Sequence, residues 1–286
     1  MDLPRISIVT PSYMQGRFLE WTIRSVLGQD YPNLEYIVMD GGSTDSTRSI
    51  LERYSPVLSH WESKKDNGQA DAIARGFEKT TGDIMAYLNS DDMLTPGTLH
   101  KVAKYFAENP SVDVIYSHRC FVDAKNRVIG YWILPPHSSY LMKRFDYIPQ
   151  ETTFWRRRIF DEVGNIDPTY RFAMDYDLFV RFMRAGRMRR LNDVFGAFRM
   201  HDCSKTQTQI ETIGVKEMAR VRNQYRIPIR KYDHVLLKFF IAYVKGASFA
   251  WQRYQQSIHS RDPDRFLDFE RIWQGELTPS PLAQAG

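Results

Sequence analysis

Four short apolar runs in the first ninety residues, each ending in a polar or acidic tip, constrain this chain more than any other feature. Residues 6–10 lead into Pro11-Ser12-Tyr13, and residues 34–39 into Asp40-Gly41-Gly42-Ser43. Residues 57–61 precede Asp66-Asn67-Gly68, and residues 84–88 lead into Asn89-Ser90-Asp91-Asp92. Between them lie stretches of helical length, 17–29, 46–54 and 69–79. Strands separated by such helices pair in parallel through right-handed crossovers, which predicts an α/β, Rossmann-like, mostly parallel sheet with helices on both faces. Ligands of such sheets bind beyond the carboxyl ends of the strands, where all four tips lie.

Pro96 suits the first turn of a helix running to about residue 108, because its missing N–H has no helical partner there. A further strand is expected over 112–116, a hairpin turn at Asp123-Ala124-Lys125-Asn126, an ordered loop over 132–149, and a return to the sheet over 152–155. A helix over 175–185 ends at Gly186. After about residue 209 the pattern is helical, so a catalytic domain over 1–209 and a basic helical extension over 210–286 are expected.

Hydrophobic residues make up 43% of the chain, enough for a core and against wholesale disorder. Cys120 and Cys203 are the two cysteines, too few for a disulfide scaffold and without ligand spacing for a zinc site. No secretory signal and no run of ~18 apolar residues is read, so the expected location is cytoplasmic, peripheral on the inner face of a membrane.

Adjacent carboxylates such as Asp91-Asp92 repel each other unless a cation sits beside them. Mg²⁺ or Mn²⁺ characteristically takes one or two carboxylates plus substrate phosphates. The plainer reading is that Ser90 or Asp92 caps the helix that follows. Asp40 and its glycines read either as a turn and helix cap or as a site where backbone approaches a nucleobase or ribose. Neither a G-x-G-x-x-G nor a P-loop pattern occurs, which disfavours dinucleotide and P-loop chemistry.

Taken together, Thr10-Pro11-Ser12-Tyr13, residues 36–45 (YIVMDGGSTD), residues 66–72 (DNGQADA), Leu88-Asn89-Ser90-Asp91-Asp92 and Met174-Asp175-Tyr176-Asp177-Leu178 resemble family 2 glycosyltransferases of the GT-A fold. Residues 150–157 (QETTFWRR) resemble the bacterial enzymes that build O-antigen and exopolysaccharide. The resemblance spans about residues 4–205.

It implies an inverting, metal-dependent transfer of a sugar from a UDP-, GDP- or dTDP-linked donor to a hydroxyl of a saccharide or lipid-linked acceptor. Pro11, Ser12 and Tyr13 would line the nucleotide pocket, Asp40 would contact the base, and Asp66 and Asp71 would help close it. Asp91 would contact the ribose or donor sugar. Asp92 would bind Mn²⁺ or Mg²⁺, with His201 as a second ligand, and Arg199 and Lys205 would reach the diphosphate. Asp175 matches the aspartate of the family's Glu-Asp pair and would be the catalytic base. Met174 replaces the usual Glu, which leaves Asp175 or Asp177 for that role. Gln150 and Trp155 would shape the acceptor site, unless Trp155 packs at the sheet edge. Trp132, Tyr140 and Tyr147 are candidate sugar platforms by residue type.

The charge of +5 is unevenly placed: residues 216–265 hold eleven Lys or Arg against four acids. Residues 235–251 are apolar and aromatic but broken by Lys238 and Lys245, which fits an interfacial helix on an anionic membrane, or a helix packed on the catalytic domain. Nucleic-acid binding has no accompanying motif. The alternatives are a nucleotide-sugar-binding subunit without turnover, or a sugar nucleotidylyltransferase, whose basic glycine-rich loop is missing from residues 10–16.

Overall fold

The computed structural model describes residues 3–202 and 208–261. β1 (Ile6–Ser12) is buried along its whole length, as expected of a central strand covered on both faces. It pairs in parallel with β2 (Leu34–Asp40) on one side and β4 (Ile84–Tyr87) on the other, and β2 pairs in parallel with β3 (His60–Ser63). α1 (Leu19–Leu27), α2 (Thr47–Tyr54) and α3 (Gln69–Phe77) make the crossovers. Register sets the rim: Ser12 lies opposite Asp40, and Asp40 opposite Ser63. Equal strand ends therefore deliver their loops to one edge.

The period of two along the strands divides the core between the faces. Ile6, Ile8, Tyr36 and Val38 pack with Ile23, Val26 and Leu51, and with Leu99, Val102 and Phe106 of α4 (Thr98–Glu108). Val9, Ile37 and Met39 pack on the other face with Ile73 and Phe77 of α3, and with Phe179 and Phe182 of α7 (Met174–Ala185). Fully burying each such side chain is worth about 1.5–3 kcal/mol.

The expected mostly parallel sheet is corrected to a mixed, nine-stranded one: with β5 (Met93–Leu94), β6 (Val114–Val122), β8 (Phe154–Arg156) and β9 (Met188–Arg199), eight strands follow the order β3-β2-β1-β4-β8-β6-β9-β5, and β7 (Val128–Trp132) pairs with β6 off that path. β6 (Val114–Val122) leaves toward the rim and turns back at once into β7 (Val128–Trp132), antiparallel to it. Residues 133–153, which include the short α5 (Ser139–Met142), keep to the rim. The chain then descends as β8 (Phe154–Arg156), antiparallel to both β4 and β6. A connection that never crosses back over a face can only return antiparallel. After α6 (Arg157–Val163) and α7, β9 (Met188–Arg199) runs parallel to β6 and carries the two-residue β5 (Met93–Leu94) on its outer edge.

The third strand begins later than residues 57–61 suggested, because the amides of Val57 and Leu58 are used in the turn that ends α2, bonding to Tyr54. β9 was not anticipated; its run of Arg189, Arg190, Asn192 and Asp193 hides a strand pattern. α8 (Val215–Gln224) and α9 (Asp233–Arg261) follow, and Val221, Phe240 and Val244 join the same buried cluster as α7. No helix among the described residues is long and apolar enough to cross a membrane.

Candidate active site

Asp40 is fully buried at the tip of β2. Its Oδ1 accepts the Ser43 hydroxyl at 2.5 Å, and its Oδ2 accepts the amides of Gly42 and Ser43 and the Ser63 hydroxyl. Three of the four donors crowd Oδ2 and one takes Oδ1, so most of the carboxylate's acceptor capacity goes to its own loop. Asp40 thus shapes the loop, in which Gly42 sits at φ +83°. Across from it, the Asp66 carboxyl lies against Gly41 so closely that a Cβ there would come within 2.9 Å of Oδ2. Burial raises the Asp66 pKa despite the Gly68 amide it accepts. Asp71 accepts the Asn67 amide and pairs with Arg75.

Pro11 is buried beside this loop, and the Ser12 hydroxyl is buried without a partner among the described residues. Tyr13 stands out at 64% exposure, and the Met14 amide ties the first loop to the second through Ser43. Pro11, Ser12, Tyr13, Asp40 and Asp66 therefore share one stretch of rim.

After β4, Asn89 accepts the Gln69 amide and donates to Gln150 and Asp92. Asp92 is 1% exposed, and its Oδ1 accepts the Arg199 amide at 3.0 Å. Burial raises its pKa well above the ordinary range, and Asp91 and Glu151 raise it further. Asp91 faces outward, where its Oδ2 meets His201 Nε2 at 3.0 Å. The two residues assigned to donor sugar and metal thus form one carboxylate–imidazole pair beside a buried carboxylate. Among the described residues no three His, Cys, Asp or Glu side chains form a ready-made metal cage.

Arg199, expected near a diphosphate, is engaged within the protein. Its guanidinium is buried over the Phe18 ring and donates to the carbonyls of Asp91 and Asp123 and to Asn126. It clamps the acidic loop to the β6–β7 turn. Lys205 and Cys203 lie outside the described residues.

Asp175 opens α7, where its Oδ1 accepts the Tyr176 amide. Burial raises its pKa to about 6, with Glu151 adding to the rise and Arg119 opposing it. Asp177, two residues on, is spent elsewhere: Oδ2 takes both Nε and a terminal nitrogen of Arg181, and Oδ1 takes the Tyr225 hydroxyl. Met174 faces the core.

Four further groups join the rim that motif reading did not single out. Glu151 is buried and pairs with Arg119 through both oxygens, at 2.6 and 2.7 Å. Asp146 is held well above the carboxylate range by burial and by Asp175. Burial raises the pKa of the Tyr87 phenol at the end of β4, and Asp175, Asp146, Glu151 and Asp92 each raise it further. Glu151 stood inside the quoted QETTFWRR run; Asp146 and Arg119 had no local signal.

Gln150 is buried and donates to the Tyr87 carbonyl, and Trp155 lies in the core against Phe77, Phe160 and Phe182. Tyr147 is buried against Tyr116 and Phe240, and Trp132 meets Phe121 edge-on. Of the proposed platforms only Tyr140 is exposed, with Arg144 over its ring.

Solved structures share this architecture. The chain is similar to the mannosyltransferase PcManGT from Pyrobaculum calidifontis, in complex with GDP-Man and Mn²⁺, with a TM-score of 0.61 and 17% identity, over 96% of this chain and 86% of that one. It is also similar to S. aureus TarS 1-349 in complex with UDP-GlcNAc, with a TM-score of 0.59 and 19% identity, over 71% of this chain and 61% of that one. The fold is that of the GT-A sugar transferases. The description of Glycosyl transferase family 2 matches residues 7–200, and the chain belongs to that family. An uncharacterized glycosyltransferase of Rickettsia typhi is 24% identical over 275 residues, 91% of this chain and 85% of its own length.

Proposed function

We propose that this glycosyltransferase moves a sugar from a nucleotide-sugar donor to an acceptor hydroxyl with inversion, assisted by a divalent cation, in the assembly of a cell-surface saccharide. The observation that carries the reading is the pairing of two unlike sites on one rim: an Asp91–His201 pair beside the buried Asp92 carboxyl, and a separate carboxyl, Asp175, with a pKa of about 6.

The donor set fits Mn²⁺ or Mg²⁺. Burial raises the Asp92 pKa and the neighbouring Asp91 and Glu151 add to it, as expected where a cation is meant to balance the charge, and a hard cation needs few protein ligands when a diphosphate supplies the rest. Asp91, Asp92 and His201 would hold it, and when bound it supplies Lewis-acid stabilisation of the departing diphosphate. The partnerless Ser12 hydroxyl and exposed Tyr13 would receive the nucleotide. Asp40, with Oδ2 taken by two amides of its own loop and the Ser63 hydroxyl, would act through the loop it shapes and through the remaining acceptor site on Oδ1.

Asp175 takes the acceptor's proton on Oδ2 while the acceptor oxygen bonds to the anomeric carbon and the carbon–diphosphate bond breaks on the opposite side. A base with a pKa near 6 is ionised at neutral pH yet strong enough to accept that proton. Arg119, paired with Glu151, moderates the negative charge that gathers around it.

PcManGT was solved with GDP-Man and Mn²⁺ and TarS with UDP-GlcNAc, so donors of both kinds belong in the test. Purified protein would be screened with UDP-, GDP- and dTDP-sugars, with Mn²⁺, Mg²⁺ or EDTA, for binding and sugar release. Metal-dependent binding of one donor supports the reading, and indifference to every donor and metal would overturn it.

A further inference from the structure

The outward face of α9 is unlike the rest of the surface. Leu236, Phe240, Val244, Ala247 and Trp251 recur every three or four residues and turn toward the domain. There Phe240 meets Phe145 and Tyr147, Ser248 accepts the Ile133 amide, and Trp251 meets His118. On the opposite side Val235, Phe239, Ala242, Gly246, Phe249 and Arg253 follow the same spacing and are all exposed, Phe239 at 70% and Phe249 at 63%. Lys238 and Lys245 flank that stripe, Arg230 and Lys231 precede it, and no Asp or Glu occurs between His234 and Ser257.

We infer that this face of α9 docks on an anionic lipid surface, with Phe239 and Phe249 entering the headgroup region and Lys238, Lys245 and Arg253 meeting the phosphates. Charge complementarity selects this occupant. A second copy seated on the same face would bring two acid-free basic stripes together, which repel. Spanning is excluded by the lysines along the helix, whereas lying in the interface buries aromatic area and leaves basic heads in the phosphate layer. The inner side of α9 braces residues 133–149, the loop that leads past Asp146 to the acidic rim. Docking would therefore set the membrane on the side of α9 away from that loop. The inference goes beyond the sugar-transfer reading and can stand or fall without it.

The test is flotation of the full chain with vesicles of phosphatidylcholine alone and of phosphatidylcholine with one-third phosphatidylglycerol. Binding to the anionic vesicles only, weakening as salt rises, is expected. Lys238→Glu with Lys245→Glu, and separately Phe239→Ser with Phe249→Ser, should each lower partitioning more than about tenfold at unchanged thermal stability. All four side chains are exposed, and if one pair unfolds the protein the other still gives the answer. Equal affinity for neutral vesicles, binding by both double variants like the wild type, or no binding at all overturns the inference. So does a concentration-dependent dimer in lipid-free solution that the phenylalanine variants dissolve, which would give the face to a second copy.

Discussion

Asp175 and Asp177 are the same residue two positions apart on one helix, and their surroundings divide their roles. Asp177 is neutralised by Arg181 and bonded by Tyr225, so it serves α7 itself. Asp175 keeps one oxygen for chemistry and stands where burial makes ionisation costly. Asp175→Asn should leave donor affinity within about twofold and lower turnover by about 10²- to 10⁴-fold, as measured by sugar transfer. The wild-type rate should rise with pH through about 6 as the carboxyl loses its proton. The same shift has a sign for stability. A carboxyl with a raised folded pKa binds its proton more tightly in the folded state, so it costs stability as pH rises from about 4 past 6. Asp175→Asn should then melt higher than wild type at pH 8, with the difference vanishing below pH 4, which calorimetry would read. Motif spacing alone could not separate the two aspartates, because Arg181 was legible as a neighbour but Tyr225 comes from 48 residues away.

The elements that hold the rim depend on pairs no local pattern reveals. The turn Gln150–Thr152 places Glu151 under β9, where Gly196 leaves room for its side chain: a Cβ there would come within 2.7 Å of it. The charge is balanced by Arg119 from β6. Glu151→Ala should strand a partly buried guanidinium and lower stability by about 3–5 kcal/mol in urea unfolding, with loss of activity beyond that expected from stability alone. α9 has a comparable part in the rim loop: Phe240→Ala should cost about 3–5 kcal/mol, since it removes a ring packed on Phe145 and Tyr147. The four early strand tips were readable because parallel strands joined by helical crossovers necessarily end toward one edge of the sheet. The antiparallel descent of β8 was not, since the long rim connection before it has no periodicity.

The molecule as a whole reads as a sheet with two halves, a parallel half that carries the first four strand tips and a mixed half beside it. Asp91 and Asp92 come from the first, and His201 follows β9 of the second, so a cation bound by all three would link the halves. Donor affinity measured by calorimetry should fall at least about tenfold when EDTA replaces Mn²⁺, and Asp92→Ala should bring the same loss with Mn²⁺ present. Melting should likewise rise on adding Mn²⁺ and donor together, because ligands that bind only the folded state stabilise it by mass action.

From its sequence alone, this chain's α/β class, the rim bearing the acidic tips and its family were determined, because apolar periodicity and ordered motifs are local properties that survive in one dimension. Only the tertiary structure decided that Asp177 and Arg199 are braces, that Trp155 is core, and that Asp146, Glu151 and Arg119 crowd around Asp175. Those outcomes depend on which charges are brought within a few ångströms of one another, and contacts between residues tens of positions apart leave no mark on spacing.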